Sequence, residues 1–344
     1  MKKVMLLLFV SAVVSANSAI AQVLTDSIAE KMLVYQRSIG GWPKAVNNRV
    51  VDYNIALTVK ERISIRADSL MADATIDNKA TTREINYLVK AYHSTKNQQY
   101  LFAAERGLNY LFEAQYANGG WPQYYPKHNI YRGQVTYNDE AMMNVMNLLQ
   151  DLIEGKNCFE VMDAWFKTQA QIAIDKGVQC ILNTQIVVRG KLTAWCAQYD
   201  EQSLKPAKAR AFELVSISGM ESVGIVEFLM RLQHPSPEIK KAIHSAVEWF
   251  NKSKIEGYDF VFVKDPTKPK GKDRVLVKDT LSTIWARFYD IDSNKPFFSG
   301  RDSTKKNTVA EIEVERRVGY AWYGTWPAKL FLKKYPEWLK RNGV

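Results

Sequence analysis

The sequence predicts a single all-α domain in which helical hairpins pack around a common axis. Three observations lead to this prediction. Apolar residues recur every three or four positions through most of the chain, as Ile85, Leu88, Val89 and Tyr92 do. Strand patterns are few, and no linker rich in Gly, Ser or Pro divides the 344 residues.

The predicted helices are mostly 13 to 18 residues long and follow one another closely along the chain. Asp139 is the expected N-cap of the third, and Ser236 followed by Pro237 is a typical cap and first-turn proline. Short strands are predicted at 185–189, 259–263 and 274–277. The helices are predicted over residues 80–92, 100–115, 140–153, 165–182, 219–233 and 237–252.

A weak internal repeat supports the idea of repeated hairpins. Gly-Trp-Pro occurs at residues 41–43 and 120–122, and a looser copy, Gly-Thr-Trp-Pro, occurs at 324–327. Each copy follows a helical stretch, where glycine ends a helix and proline prevents its restart. We expect Trp42 and Trp121 to be exposed and to face a groove, with burial in the core as the alternative. We expect Trp326 to anchor its loop in the core.

The N-terminus has the form of an export signal. Lys2 and Lys3 precede an apolar run at 4–14 that is too short to span a bilayer, and Ala-Ile-Ala at 19–21 resembles a cleavage site. We therefore expect a signal peptide at 1–21 and a single domain at 22–344, exported to the periplasm or secreted. No cysteine follows the cleavage point, so no lipid anchor is expected.

The charge of the chain favours an acidic partner. The formal net charge is +11, and the nine Trp and seventeen Tyr are typical of proteins that stack on sugar rings. Nucleic acid is excluded as the partner because the chain is exported and carries no nucleic-acid motif. The expected partner is an acidic polysaccharide, bound by a monomer.

The cysteines and histidines form no recognisable motif. No Cys-x-x-Cys pair is present, and the odd number of cysteines predicts free thiols rather than a disulfide framework or a zinc site, with a single disulfide as the alternative. The histidines show no spacing that builds a metal site. These residues are Cys158, Cys180, Cys196, His93, His128, His234 and His244.

Two acid–amide pairs and one arginine carry the chemical signal. The pairs are Asp77 with Asn78 and Asn138 with Asp139, and their oxygens suit a hard cation such as calcium. Both pairs lie where a helix is predicted to begin, so an N-cap is the alternative for each. Arg210 suits an anionic substrate, and a salt bridge to the carboxylate three residues later is its alternative.

These pairs belong to an ordered set of blocks that resembles polysaccharide lyase family 10, the pectate lyases built as an (α/α) toroid. Asp-Asn-x-Ala-Thr at 77–81, Asn-Asp-x-Ala-Met at 138–142 and Ala-Arg-x-Phe-Glu at 209–213 are the central blocks. The resemblance implies an incomplete α/α barrel of helical hairpins with a few short strands. Further blocks lie at 40–44, 119–123, 192–198, 287–291, 299–302 and 316–322.

The resemblance also implies a reaction and its cofactor. Pectate lyases cleave α-1,4-linked galacturonan by β-elimination, in which a base removes the C5 proton next to the uronate carboxylate. A calcium ion neutralises that carboxylate and stabilises the charge that develops. By resemblance, Asp77, Asn78 and Asp139 contact the Ca²⁺.

By resemblance, Arg210 is the base and two further arginines bind uronate carboxylates. Those arginines are Arg287 and Arg301, although a turn contact to the residue after Arg301 is an alternative for it. Lys191 is an additional substrate-binding candidate, and Trp195 is expected in the wall of the site. Arginine is an unusual base because free arginine stays protonated in proteins, so its surroundings must disfavour the charge.

Two other functional classes remain open. A glycoside hydrolase on a helical toroid would use Asp77 and Asp139 as its pair of carboxylates. A non-catalytic sugar-binding protein would keep the Gly-Trp-Pro loops and tolerate the loss of Arg210. Elimination is distinguished from both by a product with a conjugated double bond.

Overall fold

The computed structural model describes residues 24–127 and 129–343, and the predicted signal peptide lies outside these residues. All six predicted helices are present, as α3 to α8. No helix in the described ranges is long and apolar enough to cross a bilayer. The helices are α1 Ser27–Tyr35, α2 Val59–Ala67, α3 Thr82–Thr95, α4 Gln98–Ala114, α5 Ala141–Glu154, α6 Ala164–Thr184, α7 Glu221–Arg231, α8 Pro237–Ser253, α9 Val314–Gly319 and α10 Tyr335–Asn342.

Most strands of the described chain contain only two residues. The exception is a long antiparallel hairpin of β8 and β9, whose far end also pairs with β13. The strands are β1 Ala45–Val46, β2 Arg49–Val50, β3 Val135–Thr136, β4 Val187–Val188, β5 Lys191–Leu192, β6 Gln198–Tyr199, β7 Ile217–Ser218, β8 Ile255–Lys264, β9 Lys272–Ala286, β10 Phe288–Tyr289, β11 Phe298–Ser299, β12 Lys305–Lys306 and β13 Tyr323–Gly324.

The helices are arranged as hairpins in two layers. Helix α3 packs on α4, α5 on α6, and α7 on α8. Within one layer α3 contacts α5 and α5 contacts α7, and in the other α1, α4, α6 and α8 contact one another in turn. The layers share a single apolar core, and the predicted α/α toroid is confirmed.

Three glutamines tie the second layer together. Gln36, Gln115 and Gln185 are the C-cap residues of α1, α4 and α6. The side-chain amide of each donates to a backbone carbonyl of the next helix in that layer, at 2.8, 2.9 and 3.0 Å respectively. Each amide also donates to the loop that follows its own helix, so one side chain fixes both a helix end and its neighbour.

Buried tryptophans repeat in the same positions. The indole nitrogens of Trp42, Trp121, Trp195 and Trp285 each donate, at 2.8 Å, to a backbone carbonyl in the last turn of α1, α4, α6 and α8 respectively. The prediction that Trp42 and Trp121 are exposed is wrong, because both are completely buried. Trp326 is only partly buried against the core.

The glycines before these tryptophans allow close approach rather than ending helices. Gly40 and Gly119 have φ angles of 101° and 89°, and a Cβ atom on either would lie 2.2 or 2.0 Å from a carbonyl oxygen of α4 or α6. The helices themselves end earlier, at the glutamine caps. The prediction that these glycines terminate the helices is therefore wrong.

Candidate active site

Two short 3₁₀ turns with the same backbone shape begin the site. They are Asp77–Lys79 before α3 and Asn138–Glu140 before α5. In each turn the second and third residues have positive φ angles, 51° and 64° in the first turn and 50° and 61° in the second. The first two residues of each turn are one acid and one amide, in reverse order, and the second turn ends in a further acid, Glu140. Positive φ is uncommon outside glycine, and the two turns share it at corresponding positions.

Neither Asp77 nor Asp139 caps a helix. The residues at the N-cap positions of α3 and α5 are Thr81 and Glu140, and neither helix start has a side-chain cap. The expectation that Asp139 is an N-cap is wrong, because the left-handed turn places another residue between it and α5. The carboxylates of Asp77 and Asp139 are therefore not used as helix caps.

Arg287 lies behind the second turn. It follows β9, and its side chain is almost completely buried. Its Nη2 atom lies 3.3 Å from Oδ1 of Asn138 and 3.3 Å from Oδ1 of Asp139, and it donates to Glu221. Glu221 is the first residue of α7 and also accepts a hydrogen bond from the Ser218 hydroxyl. The buried guanidinium thus has a buried carboxylate partner.

Arg210 has its own carboxylate. Its Nε donates to Oε2 of Glu213 at 2.7 Å, and a second bond joins Nη2 to the other oxygen. The guanidinium also lies 5.0 Å from the ring centre of Phe212. The salt bridge considered as an alternative for Arg210 is therefore present.

Tyr320 connects the two arginines. Its hydroxyl donates to Oε1 of Glu213 at 2.9 Å. Its ring centre lies 4.4 Å from the guanidinium carbon of Arg287 and 5.9 Å from that of Arg210. One aromatic ring thus faces both cations, and the structure brings the two predicted arginines into one site.

Both guanidinium groups are held in the charged form. Burial lowers the pKa of Arg210, but its bond to Glu213 and the charges of Glu213 and Asp139 outweigh this effect and raise the pKa above its ordinary value. Burial likewise lowers the pKa of Arg287. The charges of Glu221 and other nearby groups outweigh burial, so the pKa of Arg287 is raised above its ordinary value. Asp139 acts on both groups.

Asp139 is the accessible acid of this cluster. Arg210 pairs with Glu213 and Arg287 with Glu221, and Asp139 makes a longer contact with Arg287. The side chain of Asp139 is 38% exposed, whereas those of Glu221 and Glu213 are 1% and 5% exposed. A cation from solution can therefore reach Asp139, whereas Glu213 and Glu221 are buried in ion pairs with the arginines.

The first turn packs against α5, the helix that directly follows the second turn. The buried carboxylate of Asp77 is paired with the ammonium of Lys44. No three acidic, histidine or cysteine ligands of the described residues lie within 4.8 Å of one another here. The oxygen donors on the two turns suit a hard cation that completes its shell with water and substrate oxygens.

Arg301 lies at the rim of the site. Its side chain is exposed and lies 3.2 Å from Glu315, rather than pairing with the aspartate that follows it. Glu315 also pairs with Arg316, whose guanidinium carbon is 4.6 Å from the ring centre of Phe212. Contacts thus run from Arg301 to the aromatic ring beside Arg210.

The other two predicted substrate contacts lie outside the arginine cluster. Lys191, on β5, lines a cavity of about 180 Å³ beside α8, together with Trp249. Trp195 is completely buried. Its backbone carbonyl accepts from the amide of Ser218, so it supports β7 from within the core.

Sequence reasoning missed Glu221 and Tyr320 as members of the site. Glu221 follows Ser218 by three residues, a spacing typical of a capping box, and that spacing was a usable signal. Tyr320 lies in a block that resembles the family, but its position between two arginines depends on a contact over 107 residues.

Comparison of the sequence and the fold with known proteins identifies the family of this chain. The profile of the family described as pectic acid lyase matches residues 36–331. The chain therefore belongs to the pectic acid lyase family. None of the curated proteins compared matches the chain.

Two solved structures are similar over nearly the whole chain. One is a family 10 polysaccharide lyase from Cellvibrio cellulosa, with 33% identity, a TM-score of 0.77, and coverage of 89% of this chain and 90% of that one. The second is a mutant of that lyase in complex with trigalacturonic acid, with 33% identity, a TM-score of 0.77, and coverage of 89% and 91%. The chain is accordingly a pectate lyase of polysaccharide lyase family 10.

Proposed function

We propose that the enzyme cleaves α-1,4-linked polygalacturonate by calcium-dependent β-elimination, leaving 4,5-unsaturated oligogalacturonates. The observation that carries this proposal is the exposed carboxylate of Asp139 beside the two arginines. The similar lyase that binds trigalacturonic acid supports the substrate class.

The reaction needs a base, a charge acceptor and a leaving group. Arg210 removes the C5 proton, the electron pair of that bond forms the C4–C5 double bond, and the C4–O bond breaks. The departing oxygen takes up a proton. Arg287, fixed by Glu221, contributes permanent positive charge beside Asp139, close to where the uronate carboxylate binds.

The role of Arg210 as a base depends on a change at Glu213. In the present arrangement Glu213 raises the pKa of the guanidinium, which opposes proton removal. Loss of that contact, together with a second cation close by, disfavours the charged form. Arg210 is the more exposed of the two arginines, and its side chain therefore has the freedom to turn toward the substrate.

Asp77, Asn78 and Asp139 are the proposed protein contacts of Ca²⁺. When bound, the ion supplies charge that neutralises the uronate carboxylate and stabilises the developing enolate. Because Lys44 occupies the carboxylate of Asp77, a cation that binds there requires the ammonium to move away.

The other proposed contacts lie further along the polymer. Arg301 is exposed and binds a neighbouring uronate at the rim of the cleft. Lys191 contacts a more distant part of the polysaccharide. Trp195, which is buried, supports the wall of the site from the core. We further propose export through the signal peptide at 1–21, to the periplasm or beyond it, and activity as a monomer with one catalytic domain at 22–344.

The test is growth of ultraviolet absorbance on polygalacturonate, with added calcium and then with chelator. Arg210→Ala should abolish the growth, and chelation should do the same for the unchanged enzyme. Arg66→Ala, an exposed arginine on α2, is the matched control and should retain activity.

The alternatives give different results. New reducing ends without absorbance would indicate hydrolysis, and intact polymer with sugar binding preserved would indicate a binding protein. Either result would replace the elimination mechanism.

A further inference from the structure

Three side chains with metal-ligand donor atoms converge at the C-terminal end of α3. His93, Cys158 and Glu160 each offer one donor atom, and these atoms all lie within 4.8 Å of one another. Nε2 of His93 lies 3.7 Å from Oε1 of Glu160. Among the described residues this is the one group of three His, Cys, Asp or Glu donors so close together.

The three residues come from two elements. His93 lies in the last turn of α3, and Cys158 and Glu160 lie in the connection between α5 and α6. The buried ring of Phe159 anchors that connection in the core, between the two ligand candidates. The site therefore joins the C-terminal end of α3 to the neighbouring hairpin.

The geometry agrees with a tetrahedral ion. Metal–ligand bonds of about 2.0–2.3 Å place neighbouring donors of a tetrahedral zinc site about 3.3–3.7 Å apart. The imidazole–carboxylate separation already has that value, and small side-chain rotations bring the thiol into range. His93 and Glu160 are about half exposed, so the ion and a water in the fourth position have access from solution.

The donor chemistry distinguishes this group from the acid–amide turns. Sulfur and nitrogen donors favour zinc and similar ions over calcium. An ion pair between His93 and Glu160 would explain why those two side chains lie close together. It would not explain why the free thiol of Cys158 lies beside them. His93 is also eleven residues along α3 from its start beside Asp77, which corresponds to about 16 Å.

We propose that His93, Cys158 and Glu160 form a binding site for a zinc-like divalent cation that clamps α3 to the α5–α6 connection. The ion binds the Cys158 thiolate, the imidazole and one carboxylate oxygen, and the thiol proton is released to solvent. The bound ion stabilises the folded chain at the end of α3 remote from the catalytic turns.

Cobalt substitution tests the site directly. Co²⁺ is titrated into the reduced, chelator-treated, tag-free protein, and the thiolate-to-cobalt band and the visible d–d bands are recorded. We expect one equivalent to bind with both signals. Cys158→Ser should remove the thiolate band and His93→Ala should weaken binding at least tenfold, whereas His234→Ala, an exposed histidine elsewhere, should change neither.

A melting experiment separates this site from the catalytic one. Zinc should raise the melting temperature of the unchanged protein and of Asp139→Ala, but not that of Cys158→Ser. Binding without a thiolate band, or a zinc effect that survives Cys158→Ser and is lost in Asp139→Ala, would overturn the proposal. The readouts require no activity, so failure of the lyase mechanism would not affect them.

Discussion

A guanidinium that is removed from water needs a carboxylate, and Arg287 takes its partner from Glu221. Both side chains are almost fully buried, with 4% and 1% exposed. The second contact of Arg287 is to Asp139, the acid that we propose contacts Ca²⁺. Glu221 therefore does more than balance a charge, because it takes the shorter contact of Arg287 and leaves the longer one to Asp139.

Glu221→Gln tests this division of roles. The substitution leaves Arg287 with Asp139 as its remaining carboxylate contact, and we expect a loss of stability of roughly 3 kcal/mol from the unpaired buried charge. We expect kcat/KM to fall about 100-fold, which corresponds to about 2.7 kcal/mol. Urea unfolding and initial rates on polygalacturonate measure the two effects.

Glu227→Gln is the control on the same helix. Glu227 pairs with Lys334 at the surface, where an ion pair contributes about 0–1 kcal/mol. Unchanged activity in Glu221→Gln would contradict the assigned role of Glu221.

Individual residues of the site were predictable where the signal was local. The two residues of each acid–amide pair are adjacent in the sequence, and Arg210 lies three positions before Glu213. The bond between Arg287 and Glu221 spans 66 residues, and no local pattern indicates it. The same limit hid the approach of His93 to Cys158, because the two residues are 65 positions apart and match no metal-binding motif.

At the scale of elements, long helices were predictable and short ones were not. Helices α3 to α8 bury a regular apolar face, so their periodicity appears over three or more turns. Helices α1 and α9 have nine and six residues, too few for a period to emerge. The burial of Trp42 and Trp121 was missed because their indoles bond to helix ends ten residues earlier.

The glutamine caps give an element-scale prediction. Gln185→Leu loses the hydrogen bonds to the carbonyls of Thr193 and Ala242, and we expect it to destabilise the protein by roughly 2 kcal/mol. Chemical unfolding followed by circular dichroism measures the change. Gln179→Leu, an exposed glutamine on α6, should change stability by less than about 0.5 kcal/mol. Equal effects of the two variants would show that the cap does not join α6 to α8.

The link between β9 and α9 has a defined pH dependence. The hydrogen bond from Arg317 holds the pKa of Asp273 below its ordinary value. The stabilisation is therefore complete above the unfolded pKa of about 3.9 and is lost as the pH falls through the lower folded pKa. Asp273→Asn should cost roughly 2 kcal/mol at neutral pH and progressively less in acid.

Melting temperatures from neutral pH down to about pH 3 measure this difference. Asp265→Asn, in the exposed turn of the same hairpin, is the control, because an amide oxygen still accepts the bond from Thr267. A difference between Asp273→Asn and the unchanged enzyme that stays constant with pH would exclude the ion pair as its source.

At the scale of the whole molecule, the excess of positive charge matters for binding a polyanion. The formal net charge is +11, and attraction between exposed charges is screened by salt. At fixed calcium, we expect KM for polygalacturonate to rise several-fold between about 0.05 and about 0.5 M sodium chloride, with little change in kcat. Initial rates measure this.

A short oligogalacturonate is the comparison substrate. It meets fewer charges outside the cleft, so its KM should rise less than that of the polymer. An equal rise for both would place the salt effect inside the active site.

The repeated tryptophans also give the enzyme internal optical probes. Four of its nine tryptophans are buried, one in each helical repeat, and the indole of each is hydrogen-bonded to the preceding helix. Opening of any one repeat would admit water to its own fluorophore while the others kept their blue-shifted emission. Variants that keep one of these four indoles and replace the other eight tryptophans would therefore let fluorescence report the order in which the helical repeats open.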